Sequence, residues 1–155
     1  MLALERIVFA SEHANASDRA ALSRAGIDDS MAERRPILVV DDDAEILAML
    51  RDFLESEGLV VRTAANGAEA LDLLWEVEPA LILLDMRMPV MDGWGFAERF
   101  RERKLAYPIV VMTAAESARR WAEEIGATAY IAKPFDVNEL LQTIERHRQK
   151  DAKPN

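Results

Sequence analysis

The chain has 155 residues, half of them apolar and 30% charged, with a formal net charge of −9 and no cysteine. That length and composition suit one soluble globular domain with a real core. The lack of cysteine excludes disulfides and thiolate metal sites and fits a reducing, cytoplasmic setting; the acidic balance argues against nucleic-acid binding, and no window approaches the roughly 20 apolar residues that insert across a membrane.

Residues 1–34 differ in character from the rest of the chain. MLALERIVFA is short for a signal peptide and carries Glu5 and Arg6 inside its apolar stretch. SEHANASDRAALSRAGIDDSMAERR is rich in Ala, Ser and charge and has no sustained apolar face. One short helix fits, with Ser17 as N-cap and Gly26 as its stop. Such a composition seldom buries enough apolar area to order itself, so a weakly ordered extension is expected, with a docking segment as the alternative. Met31 heads MAERRPILVV, a natural start for a compact domain. The expected division is an extension over 1–34, a compact domain over 35–150 and a tail over 151–155.

After Pro36 the pattern turns regular. ILVV (37–40) is an unbroken apolar run, as in a strand covered on both faces. AEILAMLRDFLESEG comes next, with Ile46, Leu47, Leu50, Phe53 and Leu54 at helical spacing and Gly58 as the stop. LVVRTA (59–64) is a second strand. GAEALDLLWEVE is a helix with Leu71, Leu74 and Val77 on one face, closed by Pro79. ALILL (80–84) is a third strand, 93–104 a helix and PIVVM (108–112) a fourth strand. ESARRWAEEIG is a helix ended by Gly126, TAYIA a fifth strand, and 136–149 the last helix, where Asp136 and Glu139 form a capping box and Phe135 and Leu140 a hydrophobic staple. Five β-α units with short loops predict parallel strands, right-handed crossovers and a doubly wound α/β sandwich with helices on both faces.

In such sheets ligands bind beyond the carboxyl ends of the strands. The first strand delivers Asp41, Asp42 and Asp43 there, the third Asp85, the fourth Thr113 and the fifth Lys133 followed by Pro134. Several carboxylates at one mouth repel one another unless a cation joins them. With oxygen ligands alone, Mg²⁺ is the expected ion and Mn²⁺ the alternative. A cage of acids has no use for an ammonium, whereas a site that also holds an anion does. Metal, ammonium and hydroxyl around one carboxylate suit a phosphoryl group. A plainer reading of Asp41–Asp43 is an acid-rich helix start, worth at most about 1 kcal/mol. It leaves Asp85 and Lys133 at the neighbouring mouths unexplained.

ILVVDDD, LILLDMRMPVMDGWGF, IVVMTAA and AYIAKPF occur in this order and together resemble the receiver domain of two-component response regulators over residues 36–150. The resemblance implies a (βα)5 flavodoxin-like fold with strand order 2-1-3-4-5. It implies that Asp85 is the phosphoacceptor and that Asp41 and Asp42 form the acidic pair, Asp42 being the more direct metal ligand. The Arg87 backbone carbonyl would be a further ligand. Lys133 would pair with phosphoryl oxygens, Thr113 would move onto the phosphoryl group, and Tyr130 would swing inward with it. The Lys133–Pro134 peptide would be cis, and Arg87 and Ala115 would tune hydrolysis of the acyl phosphate. The implied reaction takes a phosphoryl group from the phosphohistidine of a sensor histidine kinase or a histidine phosphotransfer protein onto Asp85, with Mg²⁺ and Lys133 neutralising charge. A conformational change then signals to a downstream protein target. The chain is thus expected to be a phosphoacceptor rather than an enzyme, a monomer or weak phosphorylation-dependent dimer.

Asp43 falls beyond the acidic pair and is expected to start a helix instead. Trp75 and Trp121 are expected on helices covering the sheet or its rim. Trp94 is expected to pack, with partial shielding of the site as the alternative. The interval from Thr113 to Lys133 is slightly short for the family, so the fourth helix or its leading loop must be short. Only DAKPN remains after the last helix, so a stand-alone receiver is expected. Two other classes remain: a receiver-like interaction module that no longer takes phosphate, marked by loss of a site residue, and a Mg²⁺-dependent phosphohydrolase, which needs a general acid.

Overall fold

The structure, a computed structural model, describes residues 34–149. The expected Ser17–Gly26 helix, the Met31 start and the 151–155 tail lie outside the described residues. The chain divides into two units, Met1–Arg34 and Arg35–Asn155. Within the second the elements are β1 (Ile37–Val40), α1 (Ala44–Ser56), β2 (Val61–Ala64), α2 (Gly67–Leu73), β3 (Leu81–Asp85), α3 (Gly93–Glu102), β4 (Ile109–Ala114), α4 (Ala115–Ile125), β5 (Ala129–Lys133) and α5 (Val137–His147). The strands form one parallel sheet in the order β2-β1-β3-β4-β5. This is the expected doubly wound (βα)5 flavodoxin-like fold.

The apolar runs explain the two layers. Alternate residues of a strand point to opposite faces, and β1 and β3 are buried throughout. Leu38, Val40, Ile82, Leu84 and Val111 meet Leu71 of α2, Phe96 of α3 and Trp121 of α4 on one face. Ile37, Val39, Leu81, Leu83 and Val110 meet Leu50 and Leu54 of α1 and Leu140 and Ile144 of α5 on the other. Each fully buried Leu or Ile stabilises the fold by about 1.5–3 kcal/mol.

Four helices begin at a side-chain cap: Asp43, Asn66, Asp92 and Asp136 accept backbone N–H bonds from their first turns. Asp43 therefore has the helix-start role that its position suggested. At α2 the Glu69 side chain also reaches back past the cap, its Oε2 accepting from the Ala65 amide at 2.8 Å. Gly126 closes α4 at φ 68°, a left-handed conformation that glycine adopts without Cβ strain. No loop separates β4 from α4. The short Thr113–Lys133 interval is thus taken out of the connection ahead of the helix.

Two expectations need correction. Helix α2 ends at Leu73 instead of running toward Pro79. Glu76 and Glu78 oppose the negative end of the helix dipole, and Pro79 disfavours helical geometry at the residue before it. Trp75 consequently lies past the helix, is 74% exposed and does not cover the sheet. Its ring lies under the Arg103 guanidinium, with Cζ 4.2 Å from the centroid, while Arg103 Nη1 donates to the Leu71 carbonyl at 2.8 Å. Trp121 is buried, as its helical position suggested.

Candidate functional site

The chain leaves β1 at Val40, and Asp41 is held immediately beyond it. Its amide donates to the Ala64 carbonyl at 3.1 Å, and its side chain is almost wholly buried. Asp41 Oδ1 accepts from the Asp43 amide at 2.9 Å. Asp42 points into the open and is exposed. Asp85 is the last residue of β3 and is buried. Its Oδ1 accepts from the Met86 amide at 2.9 Å.

The chain just beyond Asp85 is fixed by α3. The Gly93 amide donates to the Met86 carbonyl at 2.9 Å. A Cβ on Gly93 would stand 2.5 Å from Met86 Sδ and 2.9 Å from Met86 Cα, so this close approach requires glycine.

Lys133 ends β5 and reaches across the ends of β4 and β3. Its Nζ lies 2.7 Å from Asp41 Oδ2 and 3.8 Å from Asp85 Oδ1. The ends of β1, β3 and β5 therefore meet at one rim. The nearest partner of the ammonium is Asp41, which the sequence did not single out for that role. The Lys133–Pro134 peptide is cis.

One oxygen from each of Asp41, Asp42 and Asp85 lies within 4.8 Å of the others. With all three ionised and one ammonium beside them, the cluster carries two uncompensated negative charges. An all-oxygen donor set with that charge fits a hard divalent cation such as Mg²⁺. The frustration is visible at Asp85, whose pKa is raised from 3.8 to about 6. Burial is the main cause, and the charges of Asp41 and Asp42 add to it; Lys133 and the Met86 amide oppose it.

Thr113 and Tyr130 sit elsewhere in the sheet register. Met112 is the residue of β4 paired with Asp85, so Thr113, one place on, belongs to the alternate face. Tyr130 pairs with Val111 and lies on that same face, covered by α2, α3 and α4. Thr113 is buried and Tyr130 is 47% exposed. Among the described residues no hydrogen bond joins Thr113 to Asp85 or Lys133. Ala115 opens α4.

Arg87 is exposed, and its guanidinium lies over the Trp121 ring, with Cζ 5.0 Å from the centroid. Trp94 packs, as expected. It packs edge-on against Trp121 with centroids 4.9 Å apart, and it lines a shallow cavity of about 480 Å³ together with Asp42, Met86, Arg87 and Asp92. A larger cavity of about 590 Å³ lies between α3 and α4 near Pro108, Ile109 and Gly126, toward the opposite ends of the strands. The Met86 amide's hydrogen bond to Asp85 and the Arg87–Trp121 contact escape the sequence, because backbone aim and tertiary packing set them.

Residues 37–145 match the family described as the response regulator receiver domain. The chain is 37% identical over 127 residues to the DNA-binding transcriptional regulator NtrC of Escherichia coli, a match covering 79% of this chain and 27% of NtrC. It thus spans about a quarter of that relative's length. Sporulation initiation phosphotransferase F of Bacillus subtilis is 35% identical over 113 residues, covering 72% of this chain and 91% of that protein. Among solved structures, response regulator TrrA of Thermotoga maritima, in complex with Mg²⁺–BeF, superposes with a TM-score of 0.65 at 31% identity, covering 72% of this chain and 97% of TrrA.

Proposed function

The chain belongs to the response regulator receiver domain family, and from that premise we propose that Asp85 accepts a phosphoryl group from the phosphohistidine of a sensor histidine kinase or histidine phosphotransfer protein. It is a phosphoacceptor signalling domain with Mg²⁺ as its ion rather than an enzyme acting on a separate substrate. The observation that carries the residue assignment is the convergence of Asp41, Asp42, Asp85 and Lys133 at one rim.

Asp85 Oδ1 is occupied by the Met86 amide, whereas Oδ2 has no hydrogen bond among the described residues and is not sealed from solvent. The free oxygen is the nucleophile. As its bond to phosphorus forms, the phosphorus–nitrogen bond of the donor breaks in line, and the departing imidazole takes a proton from solvent. Lys133, already 3.8 Å from Asp85, shifts from Asp41 toward the transferred oxygens. Asp41, Asp42 and Asp85, with the Arg87 carbonyl as a further ligand, would hold Mg²⁺ (or Mn²⁺), which would supply neutralisation of charge on those oxygens.

The Thr113 hydroxyl, which has no hydrogen-bond partner among the described residues, then turns toward the phosphoryl group. Tyr130 moves into the space on the face it shares with Thr113. The changed surface around β5 is read by a downstream protein as a shift in population. Among the described residues no helix is long and apolar enough to cross a membrane, which suits a cytoplasmic site of action. The acidic balance suits protein partners rather than nucleic acid. The test is incubation with Mg²⁺ and acetyl phosphate, then intact mass. Wild type gains one phosphoryl adduct and Asp85→Asn gains none; equal labelling of both would refute the assignment.

A further inference from the structure

Arg87 is tied to α4 by a contact that phosphoryl transfer to Asp85 does not use. It lies two residues past Asp85, and its guanidinium seats on the ring of Trp121, a buried residue of α4. Trp121 in turn meets Trp94 of α3 edge-on, and Trp94 Nε1 donates to Glu124 Oε2 of α4 at 3.0 Å. The beginning of α4 packs through Ala118 but has no polar side chain at its N-cap. It succeeds β4 without a loop, and Ala114 provides no side-chain cap. A helix lacking that cap leaves its first amides without side-chain acceptors. The guanidinium therefore tethers the segment after Asp85 to a helix that begins without a side-chain cap.

Arg87 also borders the phosphoacceptor mouth, because it lines the same cavity as Asp42. Among the described residues no carboxylate pairs with it. Its charge is thus uncommitted except to the indole face. An exposed cation on a ring face gains little, a factor of about 2–5 in an equilibrium. A phosphoryl group on Asp85 offers about two negative charges and several strong acceptors, which a planar guanidinium can meet with two parallel bonds.

On the reading that Asp85 is the phosphoacceptor, we propose that Arg87 is a latch with two seats: the Trp121 ring of α4 while Asp85 is unmodified, and the phosphoryl oxygens once Asp85 carries them. Transfer of the guanidinium frees α4 from the segment that succeeds Asp85. Each seat belongs to one state only, and this difference is what allows phosphorylation to shift the position of α4. The latch is separate from the Thr113–Tyr130 movement, because it acts through the exposed side of the Asp85 loop.

The test monitors the indole N–H signals of the three tryptophans by NMR, assigned with Trp75→Phe and Trp94→Phe, with intact mass read on the same samples. In the unmodified protein Arg87→Ala moves the Trp121 signal. Arg87→Lys, which keeps the charge without the planar face, moves it in the same direction. Acetyl phosphate with Mg²⁺ carries the wild-type signal toward the Arg87→Ala position, and the further movement in Arg87→Ala is smaller than that of wild type. Trp75, seated under Arg103, stays in place throughout. A full Asp85 adduct with an unmoved Trp121 signal overturns the latch and leaves the phosphoacceptor assignment standing. So does the whole shift with Mg²⁺ alone, or an equal shift of Trp75. Absence of any adduct overturns the assignment and the latch with it.

Discussion

Replacing Asp85 by Asn should stabilise the metal-free protein at neutral pH. The carboxyl pKa is raised from 3.8 to about 6, chiefly by burial. Below about pH 4 the group is protonated in both folded and unfolded chains and contributes no difference. As pH rises from there to about 6, the unfolded chain releases this proton while the folded chain retains it, so stability falls. Above about pH 6 the loss is complete. A shift of this size corresponds to about 3 kcal/mol, and screening at a mouth open to water leaves about 1–2 kcal/mol. Asn keeps a carbonyl oxygen for the Met86 amide, and Lys133 keeps Asp41 at 2.7 Å, so little else is lost. Urea unfolding of both proteins in EDTA, from pH 4 to 8, should show coincident midpoints at the acid end and a more stable variant above pH 6. For a domain of this size 1 kcal/mol corresponds to about 3–6 °C in Tm. Saturating Mg²⁺ should reverse the order, because an ion bound at about a hundred times its Kd adds about 2.7 kcal/mol to the folded state. A variant less stable than wild type at pH 8 without metal, or a difference independent of pH, would refute the account of charge crowding.

Lys133→Met should leave buried Asp41 without its ammonium and cost about 1–3 kcal/mol near neutral pH, measured as a lower urea midpoint; an unchanged midpoint contradicts the pairing seen at 2.7 Å. Gly93→Ala would drive a methyl into Met86, so a loss of about 1–3 kcal/mol is expected, together with slower labelling as the segment after Asp85 is displaced; wild-type stability and rate would show that the segment yields freely. Arg87→Ala should change the lifetime of the phosphoryl adduct while moving the unfolding midpoint by less than about 1 kcal/mol. Equal lifetimes of adduct in the two proteins count against a role for this side chain at the site.

Much of the fold was readable because β1, β3 and most of β4 are apolar runs and four of the five helix starts among the described residues carry Asp or Asn. Neighbours such as Val39 and Val40 point to opposite faces and are both buried, which requires a sheet between two helical layers. The approximate places of Asp42, Asp85 and Lys133 came from the rule that parallel strands present their carboxyl ends together. The features that the sequence left open or misjudged depend on tertiary detail. The run through Leu74 and Val77 keeps a helical apolar pattern, but its acids and Pro79 oppose continuation, and Arg103 supplies an alternative seat for Trp75. Lys133 turns to Asp41 because the strand order allows its long chain to cross the neighbouring strand ends. The face occupied by Thr113 depends on a register in which Asp85 meets Met112, and one residue of slip would invert it. The missing β4–α4 loop was visible only as a short interval, with no sign of which part was absent.

Locating the phosphoryl group on the chain tests the convergence of these carboxylates most directly. After incubation with acetyl phosphate and Mg²⁺, borohydride converts an acyl phosphate to an alcohol in place, and peptide mapping identifies the residue. The expected result is a single conversion, at position 85, absent when Mg²⁺ is chelated. Conversion at Asp41, at Asp42 or outside the rim would contradict it.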